Sequence, residues 1–268
     1  IPYYLSYFKK GMSFEGNADN ILFGKNPRLK DEFNRLFNAI FSNPEDCKKI
    51  IRLLAKKHVG FTREEIAKET GLPFGGGLTD TLNALVESDF IQRYRPYNVS
   101  GKVSFYKLID NFSLFWLKYV EPNTEDINFM TGNMTSNIMR VWRGVTFEEV
   151  CWQHIGQIKR ALGISGVSSS ISAWSVKGND NKEGVQIDLL IIRNDNVVNL
   201  CEMKFAGDIY SIDKEEDAKI RNRIQTLINT LSPKQSVHLT MITTYGVSHT
   251  MYGGRVQQQV ILDDLFQS

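Results

Sequence analysis

Near residue 165 the hydrophobic pattern changes period, and few folds accommodate the change. Before it, the stretch MTSNIMRVWRGVTFEEVCWQHIGQIKRALG repeats its apolar residues at helical spacing, with a break expected at Gly144 and a stop at Gly163. After it, GVSSSISAWSV, GVQIDLLIIRN and VVNLCEMKF have the composition of strands, and Asn194, Asp195 and Asn196 form a tight turn between the last two. A helix is expected over residues 213–231, with Ile220, Ile224, Leu227 and Ile228 on its apolar side. SVHLTMITTYG reads as another strand and QQQVILDDLF as a final one. The order α, β, β, β, α, β plus one strand predicts an α/β fold built on a mixed sheet.

The N-terminal half follows a different plan. In DEFNRLFNAIF, Phe33, Leu36, Phe37, Ile40 and Phe41 recur at helical spacing, and PEDCKKIIRLLAKKH opens a second helix with Pro44 in its first turn. Two short helices are expected in FTREEIAKETGL and PFGGGLTDTLNALVESDFI, the first with Thr62 and Glu65 as a capping box. QRYRPYNVSGKVSFYKLI gives two strands around a turn at residues 98–101. Three helices and a hairpin over residues 44–110 predict an α-rich winged helix-turn-helix module. DNFSLFWLKYVEPN is too apolar to be a free linker. The division expected is a helical segment at 1–43, the winged module and junction at 44–131, and the α/β domain at 132–268.

Composition sets outer bounds on function. With 42% hydrophobic and 23% charged residues in 268, the chain is a folding one. A formal charge of +2 creates no global attraction to polyanions, and neither half departs from balance: 18 basic against 16 acidic side chains in residues 1–131, and 14 of each beyond. Cys47, Cys151 and Cys201 are three and far apart, which speaks against a disulfide framework and for a reducing, cytoplasmic setting. No apolar run reaches the ~18 residues of a membrane span. The aromatic cluster after Ile1 (Tyr3, Tyr4, Tyr7, Phe8) reads as a cut end with protein missing upstream.

Chemistry is expected where charge interrupts the strands. Asp188 breaks one apolar run, and Glu202 and Lys204 break the next. Desolvating unpaired charge costs several kcal/mol, on rough scale, so such positions call for a reason. Glu202 and Lys204 are two apart and share a face of the pleat, while the turn at 194–196 can bring Asp188 beside Glu202. Two carboxylates so placed would bind a hard cation such as Mg²⁺ (or Mn²⁺), and the lysine could orient or deprotonate water and stabilise charge on a phosphate.

These residues resemble the PD-(D/E)XK nuclease superfamily: Asp188, then Glu202-Met203-Lys204 at the end of the next strand, after a helix bearing Phe147-Glu148-Glu149. The resemblance covers residues 133–268 and implies a restriction-endonuclease-like core. It implies that Asp188 and Glu202 hold the metal, that Lys204 assists the attacking water and that Glu148, in the catalytic set, adds a further ligand that completes or tunes the metal site. Ile187 stands where the superfamily's nominal motif has proline, a departure that removes no ligand. Gln225 or Lys214 would supply an assisting polar group. The wider chain is similar to the C-terminal portion of archaeal-type AAA+ ATPases, whose junction before the nuclease-like domain Asp110-Asn-Phe-Ser-Leu-Phe-Trp116 resembles. That likeness implies a function as a Mg²⁺-dependent phosphodiesterase on nucleic acid, DNA ahead of RNA. The partners implied are an upstream ATPase module and copies of the chain itself, and not a membrane. Gly75-Gly76-Gly77 lacks the lysine of a phosphate loop, so no ATP site is expected here.

Competing readings stand beside these. Asp188, Glu202 and Lys204 could form a closed ion-paired cluster, leaving a noncatalytic DNA-binding or regulatory module. Cys151 and His154 have one-sided zinc spacing, better read as a buried thiol and a neighbour, and Trp142, Trp152 and Trp174 read as core. Residues 72–90 contain Asp80, Glu87 and Asp89 but no Lys or Arg, which is adverse for groove reading. Cations lie instead at Lys48, Lys49, Arg52, Lys56 and Lys57, on the wing at Arg93, Arg95 and Lys102, and as a rim at Lys177, Lys182, Arg221 and Arg223.

Overall fold

The structure, a computed structural model, describes residues 2–97, 103–123, 125–176, 178, 184–232 and 234–267. The expected turn at 98–101 and the cations Lys102, Lys177 and Lys182 lie outside the described residues. The fold is mixed α/β, and its contacts divide it into two compact units, Ile1–Arg93 with Tyr106–Trp142, and Tyr94–Phe105 with Arg143–Ser268.

The first unit is mainly helical. Its larger elements are α1 (Glu32–Ile40), α2 (Pro44–Leu54), β1 (Phe61–Thr62), α3 (Arg63–Thr70), α4 (Gly76–Glu87), β2 (Ile91–Tyr94) and β3 (Phe105–Leu108), the strands ordered β1-β3-β2. The apolar stripes expected of α1 and α2 supply Phe33, Phe37, Ile50, Ile51 and Leu54 to one core, which Ile66, Leu82 and Leu85 complete. Each such side chain removed from water contributes about 1.5–3 kcal/mol. Thr62 caps α3 as its sequence predicts: its hydroxyl accepts from Glu65 N at 3.2 Å, and Glu65 returns a carboxylate to Thr62 N at 2.7 Å. The junction segment forms a helix Asn111–Phe115 continued by a π-helical turn Trp116–Val120, and Trp116 stacks on Phe33 with ring centres 4.7 Å apart.

Two backbone details of this unit carry unusual weight. Gly60 has φ +79°, and a Cβ there would lie 2.1 Å from the carbonyl oxygen of Tyr106. Asp19, buried, accepts from the backbone N–H groups of Met130 at 2.7 Å and Thr131 at 3.0 Å, satisfying the first turn of the helix Phe129–Asn133. The hydroxyl of Thr131 donates to the same carboxylate.

The second unit is a five-stranded mixed sheet. Helix α5 (Asn137–Gln153) enters it and is followed by α6 (Ile155–Ala161), β4 (Ser169–Val176), β5 (Val185–Arg193), β6 (Val197–Lys204), α7 (Lys214–Ile228), β7 (Ser236–Thr243) and β8 (Gln258–Ile261). Strand order is β4-β5-β6-β7-β8; β4, β5 and β6 pair antiparallel, while β7 and β8 join parallel. The helical break falls at His154, not at Gly144, which sits inside α5. His154 leaves helical geometry at φ −114°, ψ 30°, and its Nδ1 lies 2.7 Å from Val150 O. Gly163 does end α6, at φ +69°. The last strand stops at Ile261, because Asp264 turns back to accept from Ile261 N at 2.9 Å and starts a 3-10 turn.

Both faces of the sheet are covered. Phe147, Cys151, Trp152 and Ile158 pack on Leu189, Ile191, Cys201 and Met203, while Ile220 and Leu227 of α7 pack on Ile187, Leu190, Val198 and Leu200. All three cysteines are buried thiols. Asn199, fully buried, donates across the sheet to Thr240 Oγ1 at 2.9 Å and to Gln258 Oε1 at 2.8 Å. Residues flanking the 98–102 segment also belong here: Tyr97 N donates to Ala173 O at 3.0 Å and Ser172 Oγ to Arg95 O at 2.7 Å. Among the described residues no helix is long and apolar enough to cross a membrane.

Candidate active site

Asp188 owes its position to a break in the β5 ladder. Ser172 pairs with Leu190 but Trp174 with Ile187, so Ala173 faces both Asp188 and Leu189, a β-bulge on β5. The bulge explains why Ile187 and Leu190, three apart, enter the same α7-side core while Leu189 enters the other. On the opposite side of β5, Leu189 pairs with Cys201, and continuing that antiparallel register by one step sets Asp188 across from Glu202. Glu202 and Lys204 then share the α7 face at the C-terminal end of β6, alternating with Cys201 and Met203 on the other.

Helix α7 closes the cluster from above. Its apolar stripe of Ile220 and Leu227 contains two charged positions in phase with it, Glu216 and Arg223. Lys204 Nζ lies 2.8 Å from Glu216 Oε1, and Arg223 Nη1 donates to Glu202 Oε2 at 3.2 Å. Arg223 Nε also donates to Gln186 O at 3.2 Å, and the Gln186 amide donates to Asp188 Oδ1 at 2.6 Å. With Arg223 Nη1 also 3.9 Å from Glu216 Oε1, these six residues form a continuous network, deepest at Glu202, with Lys204, Arg223 and Asp188 only partly buried.

The protonation pattern follows from depth. Burial, against the opposing charges of Arg223 and Lys204 and helped by Asp188, pushes the Glu202 carboxyl up to about 7. For Lys204 burial works against the charge, but the hydrogen bond to Glu216 and the charge of Glu202 outweigh it, so its pKa is raised above the ordinary lysine value. Lys204 is thus a cation near neutral pH, suited to hold a negative oxygen rather than to remove a proton.

Helix α5 presents its acids differently from the sequence reading. Glu149, not Glu148, is the fully buried one, and Glu148 is half-buried. Burial, then the charges of Asp188 and Glu149, raise the pKa of the Tyr94 phenol, so both acids bear on one ring. Trp152, one turn beyond Glu149, donates its indole N–H to Asp188 O at 3.1 Å and packs on Tyr94 with ring centres 5.6 Å apart. Gln225 donates to Asn229 at 3.2 Å. Of the rim cations, Arg221 is committed to buried Asp217 at 3.0 Å.

The donor set suits a small hard cation better than zinc. Asp188 and Glu202 offer oxygen ligands only, and Mg²⁺ characteristically takes one or two carboxylates and fills its shell with water and phosphate oxygens. Among the described residues no three His, Cys, Asp or Glu side chains gather into a closed cage. Cys151 is buried, and His154 is spent on Val150 O and on an edge contact with Phe266.

Comparison with known proteins adds one relative. The chain is 27% identical over 201 residues to an uncharacterized protein of Methanocaldococcus jannaschii, MJECL04. The match takes in 73% of this chain but only 43% of that protein's length. No protein-family model and no solved structure matches the chain.

Proposed function

We propose that the second unit is a Mg²⁺- or Mn²⁺-dependent phosphodiesterase of the PD-(D/E)XK type that acts on nucleic acid, within a larger AAA+ type ATPase. The reading is carried by the bulge and register that bring Asp188 across from Glu202, with Lys204 at the next same-face position of β6. The bound cation would supply Lewis-acid polarisation of the phosphate. Asp188 and Glu202 hold it, and Lys204, kept protonated by Glu216, stabilises charge as it develops on the phosphoryl oxygens. Gln186 fixes the Asp188 carboxylate, and Arg223 steadies Glu202. Glu149 is better placed than Glu148 to tune this centre from α5, because it is the buried acid that acts on the same phenol as Asp188.

The first unit is assigned as a winged helix-turn-helix on the order α2, β1, α3, α4, β2, β3 and its β1-β3-β2 sheet. Helix α4 carries Asp80 and Glu87 and no cation, so its role is packing rather than groove reading. Arg52, among the cations named for DNA contact, is held bidentately by Glu121 at 2.5 and 2.6 Å.

A second reading rests on the same network. Lys204 and Arg223 already neutralise Glu216 and Glu202, which is also how a noncatalytic platform would be stabilised. Cleavage assays on single- and double-stranded DNA and on RNA, with Mg²⁺ or Mn²⁺, separate the two. Wild-type cutting that disappears in Asp188→Ala and Lys204→Ala is expected; a wild type inert on every form would hand the site to the platform reading.

A further inference from the structure

Asp188 is the one position of β5 that, among the described residues, neither neighbouring strand pairs: the register with β4 steps from Ile187 to Leu190, and the register with β6 begins at Leu189. A residue passed over by both ladders lacks the regular pairing that fixes a peptide plane, so a group outside the sheet must supply it. That group is on α5. Trp152 donates its indole N–H to Asp188 O at 3.1 Å. Trp152 is itself 3% exposed and packs on the ring of Tyr94, centres 5.6 Å apart, which holds the donor still.

We infer that Trp152 is a positioning residue for the metal pair: its N–H sets the peptide of Asp188 and thereby the direction in which that carboxylate leaves the strand. The inference rests on the phosphodiesterase reading. Two points then define the ligand. Trp152 holds the main chain, and the Gln186 amide holds the side chain by donating to Asp188 Oδ1 at 2.6 Å. Packing alone does not call for tryptophan here. Phenylalanine also fills apolar space, whereas a buried indole carries one donor and no acceptor, and that donor is costly to leave unpaired. In Trp152 it meets the carbonyl that the bulge has taken out of register, so each satisfies the other. Deleting the N–H takes this donor from the carbonyl and lets the peptide turn, carrying the Asp188 carboxylate away from Glu202. Outer partners that orient metal ligands are typically worth about 10–100-fold in metal affinity or activity.

The test is Mn²⁺ binding to the full chain without nucleic acid, followed by isothermal titration calorimetry, with cleavage measured separately. Trp152→Phe keeps a ring and deletes the donor. Trp152→3-benzothienylalanine keeps the shape of the indole with sulfur in place of the N–H, so the donor is removed without loss of volume even where phenylalanine loosens the core. Both are expected to raise the Mn²⁺ Kd at least about tenfold while circular dichroism shows a folded protein. Trp142→Phe, on the first unit, should leave the Kd unchanged. Added to Asp188→Ala, Trp152→Phe should cost no further affinity, because its effect runs through that carboxylate. A purely structural tryptophan would lower the urea midpoint and leave the Kd of the folded protein alone. That result, or a double variant weaker than Asp188→Ala, overturns the inference. If Trp152→Phe weakens Mn²⁺ binding as stated but wild type cuts no nucleic acid, the phosphodiesterase reading falls and the positioning role stands. If wild type cuts, and Trp152→Phe binds Mn²⁺ and cuts equally well, the reverse holds. A wild type that takes up no Mn²⁺ overturns both.

Discussion

Glu202→Gln is expected to make the metal-free protein more stable at pH 8 and to leave it nearly unchanged at pH 5. The folded state holds the Glu202 proton to about pH 7, against an ordinary value of 4.5. A folded pKa above the unfolded one means that the native state binds more protons in between, so stability is fully present below about 4.5 and is lost as pH rises through 7. At about 1.4 kcal/mol per pH unit, that interval amounts to on the order of 3 kcal/mol by pH 8. Glutamine mimics the protonated acid, keeps an acceptor for Arg223, and removes the loss. Urea denaturation of both proteins in EDTA at several pH values between 5 and 8 gives the difference directly. The two stability curves should start together and diverge, the variant ending higher. Adding Mg²⁺ at pH 8 should raise wild type and not the variant, because only an ionised carboxylate gains from the cation. Parallel curves, or a variant less stable at pH 8, would refute the argument that Glu202 is a carboxylate held at a cost for a cation to relieve.

Two further outcomes concern the first unit. Gly60→Ala forces both a positive φ and a clash with the Tyr106 carbonyl, and should cost at least about 3 kcal/mol in denaturant titrations, or prevent folding. Asp19→Ala removes the acceptor for the N–H groups of Met130 and Thr131 and should cost about 3 kcal/mol, with hydrogen exchange accelerated first in the helix Phe129–Asn133.

Local signals proved legible where a single residue carries its own geometry. Thr62 with Glu65 announces a helix start, Gly163 a helix stop, and Asn194 to Asn196 a hairpin turn, because each acts within a few residues of itself. The acids of β5 and β6 were legible as exceptions to an apolar pattern. The bulge at Asp188 was not, since it depends on how Ala173 of β4 is matched across to β5. Gly144 drew the helical break because glycine lowers helix propensity, yet packing of Phe147, Cys151 and Trp152 holds α5 through it. The choice between Glu148 and Glu149 was not legible, because Glu149 lies on the face nearly opposite Phe147 and Cys151, one turn before the buried Trp152, and the helix is buried on more than the one side its apolar stripe marks. Glu216 and Arg223 had a readable signal: seven residues apart, they fall in the apolar stripe of α7 where solvated charge has no business.

The buried Asn199 has a consequence for the last strand. Its amide reaches past β7 to the side chain of Gln258, so β8 has only one seat on the sheet. Sliding β8 by a residue would turn that carboxamide to the other face and strand a polar group in hydrocarbon. A chain cut before Gln258 would therefore lose more than a border strand: it would expose the parallel edge of β7 and unseat a crosspiece that ties three strands together.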